Sequence, residues 1–201
     1  MPTAVLVSGA LFSLSLIVAI GAQNAYVLRQ GVLRAHIGTV VMICAASDVV
    51  LIAAGVAGVG AVVVHQPRVL SLVRDAGGAL LLAYAVIAAR RALRVAEPTL
   101  EARNAGQTRR GVVAATLGFT WLNPAVYLDT LVLLGTVASA HPAARWWFAA
   151  GAAAASVGWF IGLGFGARLL APLLRHPRAW RLLDVFVAVV MTVTALRTVS
   201  L

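Results

Sequence analysis

Charged residues are scarce in this chain, and their scarcity limits the classes of protein to which it can belong. Only 11% of the 201 residues are charged, acidic residues number six, and lysine is absent, so all sixteen basic residues are arginine. Soluble domains carry about a quarter charged residues, whereas 62% of this chain is hydrophobic and its mean hydropathy is +0.96. An ordinary cytosolic globule and a disordered chain are both excluded. The single cysteine, Cys44, excludes a disulfide framework within the chain and is expected to be buried.

The chain instead has long apolar runs. A bilayer core about 30 Å thick takes roughly 20 apolar residues per helix, and six runs of about this length fit the sequence, with no room for a soluble catalytic domain. We therefore predict an all-α integral membrane protein with six transmembrane helices, near residues 4–27, 37–63, 69–89, 112–139, 146–167 and 182–200.

The arginines lie between these runs, which indicates membrane topology rather than nucleic-acid binding, despite a net charge of +10. Twelve fall on one side of the predicted membrane and four on the other. Because positive loops stay in the cytoplasm, the 90–111 loop is predicted to be cytoplasmic and both termini extracytoplasmic. Asp75 and Asp184, which lie close to Arg74 and Arg181, predict interfacial ion pairs.

A faint internal repeat divides the chain into two halves. Residues 47–55 resemble residues 156–164, and Asn24 and Asn123 each lie in the first run of a half. Two halves of three helices must then face opposite ways in the bilayer, as in many secondary transporters whose site lies between the halves. We predict one membrane domain over 1–201, with a 3+3 inverted repeat made of 1–89 and 112–201, joined by the 90–111 loop.

Two acids lie deep inside apolar runs. At about 1.5 Å per residue, Asp48 is roughly 16 Å and Asp129 roughly 15 Å from the membrane surface. Charges at such depth are costly and usually functional, so the pair predicts a cationic substrate, a proton relay, or both. The alternatives are a structural hydrogen bond or a neutral, protonated acid. An intramembrane aspartyl protease is a weaker alternative, because neither acid has the Tyr-Asp or Gly-x-Gly-Asp context of that chemistry.

Polar residues also interrupt the first and fourth runs. Gln23 and Asn24 end the first, and Asn123 with Pro124 lies inside the fourth, where proline lacks an N–H and opens the helix. Freed backbone groups are tolerated in a membrane where they line a cavity. A broken helix offers N–H groups to a carboxylate and carbonyls to an ammonium, so this pattern suits an α-amino acid. A simple proline kink is the alternative.

A four-residue glycine spacing marks the fifth run. Gly158, Gly162 and Gly166 permit close helix approach, which predicts either a homodimer face or packing within the protomer. The histidines lie at no metal-ligand spacing and there is no Walker A loop, so we expect neither a metal nor a cofactor, and no enzyme activity.

The chain resembles the LysE/ArgO family of basic amino-acid exporters over nearly its whole length. The similar stretches are residues 21–25 (GAQNA), 47–52 (SDVVLI), 120–130 (TWLNPAVYLDT) and 145–149 (RWWFA). The resemblance implies export of lysine or arginine across the bacterial inner membrane, driven by the membrane potential and the proton gradient. Ala125 stands where the family often has histidine. Exporters of neutral amino acids such as homoserine or threonine, in the wider superfamily, are the alternative.

With Tyr127 from the resembling stretch 120–130, the candidate substrate-binding residues are Gln23, Asn24, Asp48, Asn123, Pro124, Tyr127 and Asp129. We predict that Asp129, two turns after the Pro124 break, pairs with the cationic side chain of the substrate. Asp48 is predicted to carry the coupled proton. The partners are therefore a basic L-amino acid, protons and the lipid bilayer.

Overall fold

The computed structural model describes residues 2–19, 21–34, 36–60, 65–93, 107–170 and 177–200, and the regular structure in these ranges is helical throughout. The principal helices follow in chain order: α1 Pro2–Ile17, α2 Ala22–Leu33, α3 Ile37–Val56, α4 Pro67–Leu93, α5 Arg109–Trp121, α6 Pro124–Ser139, α7 Arg145–Gly166 and α8 Pro177–Ser200.

Four of these helices, α3, α4, α7 and α8, are each long and apolar enough to cross a bilayer. Two bent pairs of helices meet the same criteria only when taken together, with α1 and α2 meeting at 85° and α5 and α6 at 54°. The prediction of an all-α membrane protein is confirmed, with four spans, or up to six if each bent pair is one span. The 3+3 inverted repeat and its 1–89 and 112–201 halves stay predictions.

The two bent pairs depart from the straight spans of the sequence analysis. Within the first apolar run, α1 ends at Ile17, and a separate helix begins at Ala22 and continues to Leu33. Arg29, which was counted with the loop arginines, is therefore inside α2 and only 4% exposed. The predicted 90–111 loop is also shorter, since α4 extends to Leu93 and α5 begins at Arg109; residues 94–106 lie outside the described ones.

Two helix pairs make the most extensive contacts in the bundle. The most extensive contacts join α4 to α8 and α1 to α7, while α3 packs against α7 on one side and against α5 and α6 on the other. Helices in corresponding positions of the predicted halves, α3 with α7 and α4 with α8, thus lie side by side. Cys44 is fully buried in the largest apolar cluster, as predicted.

Glycines allow backbones to touch at two of these interfaces. Gly9 of α1 faces the Phe148 carbonyl of α7, and Gly151 of α7 faces the Leu6 carbonyl of α1, so that a Cβ atom at either glycine would collide with backbone. The Gly55 and Gly135 pair does the same between α3 and α6. Because lipid provides no hydrophobic driving force between helices, their association depends on close van der Waals packing, which small residues permit.

The predicted glycine stripe of α7 lies on its other side. Among the described residues, a Cβ atom at Gly158, Gly162 or Gly166 would meet nothing within 4 Å. These three glycines therefore make no close helix contact within the described part of the protomer, and the homodimer face stays a prediction.

Two glycine variants of α7 test this division. Gly151→Ala is expected to destabilise the detergent-solubilised protein by about 1–3 kcal/mol, because the added methyl overpacks against backbone that cannot move aside. Gly158→Ala is the matched control and should be neutral or stabilising, since alanine is the better helix former. Thermal unfolding measures both. Equal losses in the two variants would contradict the assigned interface.

Candidate functional site

A cavity of about 700 Å³ lies among α1, α2, α3, α6 and α8. Five of the seven predicted site residues line it together, although they come from distant parts of the sequence: Gln23, Asn24, Asp48, Asn123 and Asp129. The other two, Pro124 and Tyr127, are not part of its lining. The cavity extends along α8 to the last turn of that helix, where Arg197 and Ser200 contribute to the wall.

Asn24 closes the backbone of the first helix break. Its Nδ2 donates to the carbonyls of Ile17 at 2.6 Å and Ala19 at 2.9 Å, which have no continuing helix to satisfy them. Its Oδ1 accepts from Trp159 Nε1 at 3.3 Å. One side chain therefore links the end of α1, the start of α2 and helix α7.

Asn123 has the corresponding role at the second break. Its Oδ1 accepts from the Ala125 amide at 3.1 Å, which makes it the N-cap of α6, and its carbonyl accepts from the Val126 amide at 3.1 Å. Pro124 occupies the first position of α6, where the missing N–H costs nothing. The predicted break at Asn123 and Pro124 is therefore present in the structure, with its amide groups already bonded.

Tyr127 acts behind the cavity wall. Its hydroxyl donates to the Trp121 carbonyl at 2.6 Å, at the open end of α5. Trp121 Nε1 in turn donates to the Ser47 hydroxyl at 3.1 Å, which ties this break to α3. Beyond the break, residues Tyr127–Leu133 form a π-helical segment that carries Asp129, and such segments are frequent at functional sites.

The two acids have different surroundings. Asp48 is 5% exposed, and its Oδ2 accepts a 2.6 Å hydrogen bond from the hydroxyl of Ser156. Asp129 is partly exposed to the cavity, and its carboxylate has neither a hydrogen-bond nor an ion-pair partner among the described residues. The site thus holds one acid fixed by a neighbouring helix and one that is free to meet a ligand.

A second, smaller cavity of about 160 Å³ lies towards the ends of α4 and α5 that border the 94–106 segment, and Tyr26, Arg29 and Arg91 are among its lining. Tyr26, Tyr84 and Phe119 pack with ring centroids 4.7–5.7 Å apart. Asn24 lines the large cavity, whereas Tyr26, two residues later in α2, lines the small one together with Tyr84.

Sequence reasoning missed a buried ion pair. Arg29 Nε lies 3.4 Å from Asp184 Oδ1, and both side chains are almost fully buried. The prediction that Asp184 lies in an interfacial pair is wrong, because α2 carries Arg29 inward against α8. The same prediction for Asp75 is confirmed, with Arg74 Nε at 3.0 Å and both groups exposed. An arginine close to a predicted turn gave no signal that it belonged to a helix.

Sequence reasoning also missed one partner of a cavity acid and one residue of the cavity lining. Ser156, the partner of Asp48, had a signal, since residues 47–55 resemble residues 156–164. Arg197, at the end of the last predicted span, was counted only for topology, yet it lines the large cavity.

Comparison with known proteins gives a consistent set of relatives. Residues 14–200 match the family described as LysE type translocator. A Mycobacterium tuberculosis protein named as an amino-acid transporter is 46% identical, over 89% of this chain and 88% of its own. The lysine exporter LysE of Corynebacterium efficiens is 38% identical over 97% and 98%. The arginine exporter protein ArgO of Pectobacterium carotovorum is 40% identical over 96% of each chain. No solved structure matches.

The buried pair predicts unequal effects for two arginine substitutions. Arg29→Leu should lower the free energy of unfolding by about 3–5 kcal/mol, because Asp184 loses the cation beside it in a buried site. Arg74→Leu breaks an exposed pair and should cost at most about 1 kcal/mol. Chemical or thermal unfolding in detergent measures both. The interpretation fails if Arg29→Leu is as stable as Arg74→Leu.

Proposed function

Because the chain belongs to the LysE family of translocators, we propose that it is a secondary transporter that exports lysine, arginine or both from the cytoplasm. Its named relatives include exporters of each. The observation that carries the proposal is the pair of carboxylates, Asp48 and Asp129, in one cavity between two broken helices. A buried acid without a cation nearby is costly, and a substrate of net charge +1 offsets that cost.

Asp129 is the proposed partner of the substrate's side-chain cation. Its carboxylate is the acid without a partner among the described residues, and α8 contributes an apolar wall with Val189, Val190 and Val193 to the same cavity. This wall suits the methylene chain of lysine or arginine. A charged pair in such surroundings interacts more strongly than in water, although desolvation offsets much of the gain.

The two asparagines hold the helix breaks that shape the site. Asn24 and Asn123 line the cavity while their amides bond to the broken backbone, so we propose that they set the cavity's shape as well as contact the substrate. Pro124 and Tyr127 support the second break from behind. Gln23 lines the same cavity, and its Nε2 is buried without a hydrogen-bond partner among the described residues.

Asp48 is the proposed carrier of the coupled proton. Burial makes its unneutralised charge costly, so a proton is the natural counter-charge when no substrate is present. The Ser156 hydroxyl holds the carboxylate in place. An arriving cationic substrate would displace the proton, and this exchange would link export to the proton-motive force.

Alternating access requires that the cavity close at one end. We propose that the aromatic cluster of Tyr26, Tyr84 and Phe119 closes the end that borders the 94–106 segment. In the proposed orientation this end is cytoplasmic, both termini are extracytoplasmic and the protein lies in the bacterial inner membrane. The cavity in this structure would then communicate with the outer side.

Export of neutral amino acids is the second candidate. Ala125, where the family often has histidine, lines the cavity beside Val126, which leaves that part of the wall apolar. Homoserine and threonine therefore belong in the same substrate panel as lysine and arginine.

Counterflow of labelled amino acids into proteoliposomes tests the assignment of the acids. Wild-type protein should exchange lysine or arginine. Asp129→Asn should lose binding of cationic substrates, because the anion for the side chain is gone. Asp48→Asn should keep exchange but lose its response to an imposed proton gradient.

Asp75→Asn is the matched control for these substitutions, since Asp75 lies in an exposed pair outside the cavity. Near-normal affinity of Asp129→Asn for lysine and arginine would refute the division of roles between the acids. Preference of the wild-type protein for homoserine or threonine would favour the second candidate.

The orientation is tested with single cysteines in a Cys44→Ala background. An Ala143→Cys label should react with a membrane-impermeant maleimide in intact cells, because the 140–144 turn lies at the proposed outer end. An Ala105→Cys label should react only after the cells are opened. The opposite labelling pattern would reverse the proposed topology.

A further inference from the structure

Arg197 is the one basic side chain among the described residues that line the large cavity. It lies in the last turns of α8, with Thr194 and Thr198 contributing to the same wall. The described residues form two ion pairs, Arg29 with Asp184 and Arg74 with Asp75, and Arg197 takes part in neither. Arg197 therefore brings a basic residue to the wall of a cavity whose other charged lining residues are two acids.

The charged residues that line the cavity complement an α-amino acid that bears a cationic side chain. Such a substrate carries two cations and one carboxylate. The cavity offers two carboxylates, Asp48 and Asp129, and one guanidinium. Guanidinium presents a planar fork of N–H donors that matches the two oxygens of a carboxylate.

The start of α6 offers few free amides for this purpose. Pro124 has no N–H, the Ala125 amide donates to Asn123 Oδ1, and the Val126 amide donates to the Asn123 carbonyl. The side-chain donors of the cavity include Gln23 Nε2, which has no hydrogen-bond partner among the described residues, and Arg197, which is the cationic donor among the described lining residues.

We propose that Arg197 binds the α-carboxylate of the transported amino acid and makes the site select amino acids over the corresponding amines. The proposal rests on the proposed amino-acid export and names the group that would recognise one part of the substrate. Without Arg197, a cavity with two acids would accept a diamine, or an amino-acid amide whose carboxyl position is uncharged, as readily as the amino acid itself.

Ligand-induced thermal stabilisation of the purified full-length protein tests this selection. L-lysine, L-lysinamide and 1,5-diaminopentane differ at the carboxyl position, and their apparent dissociation constants follow from the shift in Tm with ligand concentration. We expect the wild-type protein to bind lysine about tenfold or more tightly than lysinamide, as one charge-assisted hydrogen-bonded pair would give. In Arg197→Gln this ratio should fall close to one, chiefly through weaker binding of lysine.

Two further variants separate recognition from general electrostatics. Arg197→Lys keeps the charge without the fork and should give an intermediate ratio. Arg145→Gln is the matched control, because Arg145 is exposed at the proposed outer end, lies over the Trp146 ring and does not line the cavity. It should leave the ratio of lysine to lysinamide unchanged.

Each outcome decides the proposal. An unchanged ratio in Arg197→Gln, or an equal fall in Arg145→Gln, overturns it. If the wild-type protein binds threonine but neither lysine nor arginine, the proposed basic specificity fails. The comparison of threonine with threoninamide then tests Arg197 with the same expected ratios. If no amino acid binds, both proposals are wrong.

Discussion

The need to satisfy every backbone polar group inside hydrocarbon governs this structure. Each unsatisfied group in lipid costs several kcal/mol, yet the helix is interrupted within two of the chain's apolar runs. The interruptions persist because Asn24 bonds the carbonyls of Ile17 and Ala19 after the first helix and Asn123 bonds the first free amide of α6. Trp159 and Tyr127 fix these connections to neighbouring helices. The two asparagines thus stabilise the helix breaks that shape the cavity.

The hydrogen bonds at the two helix breaks determine which groups of the site are available to bind a charged ligand. Once the asparagines and the first amides of α6 are bonded to each other, the groups left for a charged ligand are side chains on helices that the breaks have moved apart. Asp48 is held by Ser156 across the α3–α7 contact, whereas Asp129 is left without a partner on a π-helical segment. The same cavity thus contains a fixed acid and an available one, a difference that suits two separate tasks.

Much of the site could be predicted from the sequence, because polar residues stand out in apolar runs. Gln23, Asn24, Asp48, Asn123 and Asp129 were identified in this way, and they line one cavity. Helix faces could not be predicted, since lipid-facing and core-facing residues are both apolar. In α3, Met42 is 63% exposed while Val40 is fully buried. The inward position of Arg29 and the cavity-facing position of Arg197 depend on that rotation, which composition does not reveal.

The glycine contacts between α1 and α7 and between α3 and α6 have a consequence for genetics. At Gly9, Gly55, Gly135 and Gly151 the neighbour is main chain, which has no alternative rotamer to adopt. Random mutagenesis that selects for lost activity should therefore recover these glycines as often as the acids of the cavity, although none of the four lines it. A second mutation that shortens the facing side chain can relieve a glycine substitution only where the neighbour is a side chain, as at Gly118 against Leu80. Substitutions at the four glycines that face main chain are therefore not expected to yield suppressors of this kind.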